Sequence, residues 1–142
     1  MKNNALKKDK ILKILTNICS DDLSKCKQFY IALLGLNVKY ETDWYVQLCS
    51  PLNSEIEYGL IQKGHELVPA EYQQLPTGMY VTFVVSDVDS IYKKAVQLGV
   101  PIVQRPKNEF YGQRRFLTKD PSGCLIDICS PFSMSNTSVQ TE

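Results

Sequence analysis

Few side chains in this chain can do chemistry. Glu57 and Asp127 each sit in an otherwise apolar run whose alternation reads as a strand. Brought into one cavity, two carboxylates can share a proton, or one can act as a general base. Adjacent Arg114 and Arg115 must point to opposite faces of a strand, so one of them reaches a cavity on that sheet. There it could hold a carboxylate or phosphate of a ligand. A structural ion pair between one arginine and Glu57 or Asp127 is the plainer use of these residues, and the preferred one. The only histidine, His65, falls in a segment holding Gly64, Pro69, Pro76 and Gly78 and reads as surface loop. The five cysteines, Cys19, Cys26, Cys49, Cys124 and Cys129, contain no C-x-x-C. Cys124 and Cys129 face opposite ways along one strand, so a cysteine metal site is not expected. This usage fits reduced thiols acting as small hydrophobes in a cytoplasmic protein.

The elements that position these residues occur twice. Residues 13–35 read strand, acidic cap, amphipathic helix, glycine, and residues 79–99 repeat that order. Asp22-Leu23 and Asp87-Val88 open the helices, while Gly35-Leu36 and Gly99-Val100 close them. An offset of about 65 residues suits two fused copies of one module rather than a solenoid. Strands are expected at 11–19, 36–42, 44–49 and 55–62, then at 79–85, near 102–103, at 113–119 and at 125–129. A loop holding Pro106, Asn108 and Gly112 is expected before the seventh. The organisation is a flexible tail over 1–10, a βαβββ module over 11–62, a linker over 63–78, a second module over 79–131 and a disordered tail over 132–142. The fold class is α+β, with the two modules forming a shared half-barrel cavity.

Strand parity divides the residues between two faces. Ile14, Ile18, Ile56, Leu60, Val81, Phe83, Val85, Ile126 and Ile128 form an apolar face that suits packing under the helices. The opposite face carries Leu15, Asn17, Cys19, Glu57, Tyr80, Thr82, Val84, Leu125, Asp127 and Cys129, a mixture suited to a ligand cavity. Glu57 and Asp127 would meet there through the pseudo-twofold; a register slip by one would replace Glu57 with Tyr58. Trp44, Tyr45, Tyr58, Tyr72, Tyr80, Phe110 and Tyr111 fall near the mouth, where flat or cationic ligands can stack. Parity aims Tyr80 inward.

Composition excludes other classes. The chain has 142 residues, 44% hydrophobic, with a formal net charge of +1. That balance gives no basic face for nucleic acid. The lysines at 2, 7, 8 and 10 read as a solvated tail. No apolar run is long enough to cross a membrane, and residues 1–10 lack the apolar core of a signal peptide.

Three stretches carry a resemblance. They are Asp22-Leu23-Ser24-Lys25-Cys26-Lys27-Gln28-Phe29-Tyr30 with Leu34-Gly35-Leu36, then Phe83-Val84-Val85-Ser86-Asp87-Val88-Asp89, then Phe116-Leu117-Thr118-Lys119-Asp120-Pro121-Ser122-Gly123. With the order βαβββ–βαβββ, the chain resembles the vicinal oxygen chelate superfamily over residues 11–131. That superfamily includes glyoxalase I, extradiol dioxygenases, fosfomycin-resistance enzymes and bleomycin-resistance proteins. The resemblance places the metal-ligand positions of its metal-dependent members at Leu15, Glu57, Tyr80 and Asp127. Leucine cannot ligate and tyrosine ligates poorly, which leaves two carboxylates where catalytic zinc-type sites use three protein ligands. The resemblance therefore implies a member without cofactor, like the bleomycin-resistance proteins, binding a small molecule in the cavity or at a homodimer interface, with antibiotic resistance as one role. The candidate ligand residues are Asn17, Glu57, Tyr80, Thr82, Arg115 and Asp127. The alternative is a lyase, isomerase or transferase using a divalent metal such as Ni, Zn or Mn on Glu57, Asp127 and His65. A third reading is an interaction module whose cavity is filled by Leu15, Cys19, Val84, Leu125 and Cys129.

Overall fold

The computed structural model describes residues 8–132. Of the tails expected at 1–10 and 132–142, all but residues 8–10 and Phe132 lie outside the described residues. The first module runs β1 (Thr16–Ser20), α1 (Leu23–Leu34), β2 (Asn37–Glu41), β3 (Tyr45–Cys49) and β4 (Glu57–Gln62). After a linker with one short 3-10 turn (Ala70–Tyr72) comes the second module. It runs β5 (Tyr80–Val84), α2 (Val88–Leu98), β6 (Ile102–Asn108), β7 (Gln113–Lys119) and β8 (Leu125–Pro131). The sheets have orders β1-β4-β3-β2 and β5-β8-β7-β6, and each first strand runs parallel to its neighbour. The fold is α+β, and the sheets are not closed into a barrel.

Local chemistry sets both helices. The Asp22 carboxylate accepts from the Lys25 amide at 3.1 Å, and the Asp87 carboxylate accepts from the Ser90 amide at 3.2 Å. Gly35 and Gly99 end the helices in the left-handed region at φ 67° and 74°, which a side chain would strain. α1 buries Cys26, Phe29, Tyr30 and Leu33 against Ile18, Val46, Leu48, Tyr58 and Leu60 of the first sheet. α2 buries Val88 and Ala95 in the same continuous core, which Phe116, Ile126 and Ile128 extend under the second sheet.

The two halves are locked by a buried polar chain. The Tyr30 hydroxyl donates to Asp120 Oδ2 at 2.6 Å, so the Tyr58 hydroxyl, 2.9 Å away, donates to Tyr30. Asp120 Oδ1 accepts from the Ser122 amide, the Ser122 hydroxyl and the Cys124 amide. The turn of the second module is thus plugged into the core of the first. Phe83 of β5 stands edge-on to Tyr58, with ring centroids 5.4 Å apart.

Several expectations change. β1 begins at Thr16 rather than residue 11, because β4 starts only at Glu57 and offers nothing earlier for a longer strand to pair with. Ile14 is therefore exposed rather than core, as are Ile11 and Leu12. Ile56 sits in the turn before β4 and is exposed too, while Leu15 precedes β1 half-buried. Tyr58 points into the core, away from any mouth. β6 runs on through Pro106 and Asn108, where a loop was expected. It is an edge strand with a register shift between Gln104 and Lys107, so a proline lacking an N–H is tolerated. No helix among the described residues is long and apolar enough to cross a membrane.

Candidate functional site

The register shows which side chains share the face turned away from the helices. In the first sheet Asn17 lies opposite Gly59, and Gly59 opposite Gln47; Cys19 lies opposite Ile61, and Ile61 opposite Tyr45. In the second, Thr82 lies opposite Asp127, and Val84 opposite Cys129, itself opposite Arg115. Asn17 and Thr82 stand equally far before the caps Asp22 and Asp87. The pseudo-twofold mate of Asp127 is consequently Gly59, and that of Arg115 is Tyr45. The expected meeting of Glu57 and Asp127 through the pseudo-twofold is thus out of register by two residues.

The first face floors a cavity of about 940 Å³, roofed by the linker. On the floor the Tyr45 hydroxyl donates to Asn17 Oδ1 at 3.0 Å. The pair lies tight over Gly59: a Cβ there would overlap Asn17 Oδ1 and approach the Tyr45 hydroxyl to 2.6 Å. Burial, then the charge of Glu57, raises the Tyr45 phenol above its usual range. Tyr40, Trp44, Ile61 and, from the linker, Leu67 and Tyr72 complete the walls. The linker is pinned at several points. Gln73 Nε2 donates to the Val68 carbonyl at 2.9 Å, the Cys19 thiol lies 3.8 Å from the Tyr72 carbonyl, and His65 stacks on Trp44 with centroids 3.9 Å apart. His65 Nδ1 accepts from the Leu67 amide at 3.1 Å.

The second face is charged. A hollow of about 450 Å³ is lined by Tyr80, Thr82, Tyr111, Gln113, Arg115 and Asp127, among others. Asp127 is only 4% exposed. Its Oδ2 accepts from the Thr82 hydroxyl at 2.8 Å and lies 3.6 Å from the Arg115 guanidinium, and its Oδ1 has no hydrogen-bond partner among the described residues. Arg115 also donates to Glu109 at 3.0 Å. Burial is the largest single influence and pushes against both charges of that pair, but their mutual hydrogen bond, the Gln104 hydrogen bond to Glu109 and the neighbouring charges together outweigh it, lowering the Glu109 carboxyl and raising the Arg115 guanidinium. Burial and then the Asp127 charge raise the Cys129 thiol. Arg114 turns the other way and pairs with Asp89 of α2 at 3.1 Å.

Glu57 belongs to neither face cluster. It lines a third hollow, of about 520 Å³, between the modules, which Thr82 and Val84 share with the second-sheet hollow. Its carboxylate is enclosed by the Lys13 ammonium at 2.6 Å and by Lys39, and these two hold it below the usual carboxylate range.

The donor set does not fit the metal site of the superfamily's metal-dependent members. Leu15 offers no donor, Glu57 is taken by two ammonium groups, and Gly59 stands at the mate of Asp127. Among the described residues, no group of three or more His, Cys, Asp and Glu side chains is placed to hold a metal ion. Of the candidates, Asn17 is on the first floor; Tyr80, Thr82, Arg115 and Asp127 line the second; Glu57 lies between. Sequence reasoning missed Gly59 and the linker as a wall. A glycine inside an apolar strand is the signal for the first, since it marks a close approach; nothing local signals the second.

Solved structures share this architecture. A hypothetical protein from S. aureus superposes with a TM-score of 0.72 at 23% identity, covering 90% of this chain and 99% of that one. A superfamily member from Sphaerobacter thermophilus gives 0.71 at 20% identity, covering 84% and 98%. A lactoylglutathione lyase from Agrobacterium tumefaciens gives 0.65 at 16% identity, covering 86% and 96%. At such identities these establish the fold alone. No curated protein matches the chain. The family model described as Glyoxalase/Bleomycin resistance protein/Dioxygenase superfamily matches residues 11–128, most of the chain, and in keeping with its repeated βαβββ architecture the chain belongs to that superfamily.

Proposed function

We propose that this protein binds a small organic molecule without a resident metal, in the cavity between the first sheet and the linker, and holds it rather than transforming it. One observation carries the reading. Where the second sheet places Asp127, the first places Gly59, and the Asn17–Tyr45 pair closes over it as a neutral, hydrogen-bonded floor. Such a floor orients a ligand but offers neither a metal donor set nor a general base. The volume, about 940 Å³, lies toward the upper end of small-molecule sites. Assembly as a homodimer and a role in antibiotic resistance belong to the same proposal by family likeness, and a cytoplasmic setting belongs to it by the five free cysteines.

One observation favours the alternative of a divalent-metal lyase, isomerase or transferase: the buried Oδ1 of Asp127, which has no partner among the described residues. Thermal unfolding separates the two. A ligand that binds only the native state raises apparent stability. Demetallated protein is titrated with Ni, Zn, Mn, Co and Mg, with Asp127→Ala and Glu57→Ala as controls, and then with flat aromatic compounds, with Tyr45→Ala as control. The expected result is no metal shift and an aromatic shift that Tyr45→Ala removes. A metal shift abolished by Asp127→Ala overturns the metal-free reading.

A further inference from the structure

We infer that the ligand of the first cavity is a flat organic cation; this rests on the metal-free binding reading above. Four aromatic side chains, Tyr40, Trp44, Tyr45 and Tyr72, contribute to the wall. Their π faces carry negative potential, which attracts a cation more strongly than a neutral ring. Among the described lining residues Glu71 is the only charged side chain, and no lysine, arginine or histidine lines the cavity. Lys13 and Lys39 do not line the cavity, and both are engaged by Glu57, which lies outside the lining. An anion would thus meet a carboxylate and aromatic faces with no counter-charge. A cation meets one carboxylate and four aromatic side chains, one face of Trp44 being covered by His65. The second-sheet hollow differs in carrying both signs of charge, with Arg115 and Asp127 lining it together.

Glu71 and Tyr72 sit on the 3-10 turn of the linker, and both are exposed. They can therefore be altered without disturbing the core. The test uses three tricyclic probes of similar outline: 10-methylacridinium, acridone and anthracene-9-carboxylate. Binding to the full chain is followed by fluorescence anisotropy and calorimetry. The cation is expected to bind about tenfold more tightly than acridone, with the anion weakest. Glu71→Gln should cut the cation preference several-fold while leaving acridone affinity unchanged, and Tyr72→Leu should weaken the cation more than acridone. Equal binding of all three, or tighter binding of the anion, overturns the inference while the binding reading stands. Binding of none overturns both. A cation preference indifferent to both substitutions places the site elsewhere and also overturns the inference.

Discussion

The two sheet faces are built on one skeleton and do different things. Asn17 corresponds to Thr82, Gly59 to Asp127 and Tyr45 to Arg115. The first set makes a neutral hydrogen-bonded floor under an aromatic cavity. The second makes a network of Thr82, Asp127, Arg115 and Glu109 in a smaller hollow. The sites differ at three equivalent strand positions, and in the linker and Glu109 that complete them, while the strands keep their pairing. Fold and site are thus separable here at single-residue resolution.

The turns between each module's last two strands differ more sharply, and this gives the largest expected effect. Asp120 of the second module accepts four buried hydrogen bonds, one of them from Tyr30 of the first. The matching turn of the first module carries Leu52 at 94% exposure. Asp120→Ala orphans the Tyr30 hydroxyl and two amides, and should cost about 3–5 kcal/mol in urea unfolding. Leu52→Ala should change stability by no more than about 0.5 kcal/mol. Similar losses in the two variants would mean that the modules are not locked by this turn.

Replacing Gly59 by Asp makes the first floor resemble the second in composition. The new Cβ displaces Asn17 and Tyr45, whose hydrogen bond cannot then form as it stands. The expected cost is about 1–3 kcal/mol, with loss of probe binding in the first cavity. If the variant binds the tricyclic cation unchanged, Gly59 does not set the floor.

Much of this was legible in the sequence where the cause is local. Caps at Asp22 and Asp87, the glycine stops and the apolar parity of Ile18, Leu60, Phe83, Ile126 and Ile128 all follow from neighbouring residues, and they carried the fold. The residues that failed depend on distant partners. Ile14 and Ile56 obey the parity yet lie outside the strands, because pairing between β1 and β4 stops at Thr16 and Tyr58. Tyr58 entered the core because Tyr30 and Asp120 offered its hydroxyl a place in a buried chain. The arginine facing inward had to be one of two, but naming Arg115 needed the registry of β7 on β8.

The helix-side cores differ in what they bury, and pH should show it. Around α1 the core holds Cys26, Tyr30, Tyr58 and Cys124; under α2 it holds Val88, Ala95, Phe116 and Ile126. Burial raises all four titratable groups, the Cys124 thiol to about 12. A raised pKa contributes stability that is complete below the unfolded value and lost as pH climbs past it toward the folded value. For thiols that loss begins near about 8.5. Tm should fall by about a few degrees between neutral pH and pH ~10, and Cys124→Ala should flatten this limb relative to its own neutral-pH stability. An alkaline slope unchanged by the substitution would mean that Cys124 is not a source of it.

The smallest effect concerns Glu57, the acid between the two faces. Lys13 and Lys39 hold its carboxyl below the usual range, so its contribution to stability has the opposite pH sign. That contribution is complete above the unfolded carboxylate pKa of about 4.3 and disappears as pH falls through the lowered folded value. Glu57→Gln should therefore lower Tm slightly at neutral pH, and the two proteins should converge as pH falls through that lowered value. Both lysines are partly exposed, so added salt should shrink the neutral-pH difference. Because Glu57 lies outside the first cavity, Glu57→Gln should leave the affinity for 10-methylacridinium nearly unchanged, in contrast to Glu71→Gln. Equal losses of cation affinity in the two variants would show that the two acids act on one site, and the division between the linker-roofed cavity and the hollow between the modules would no longer hold.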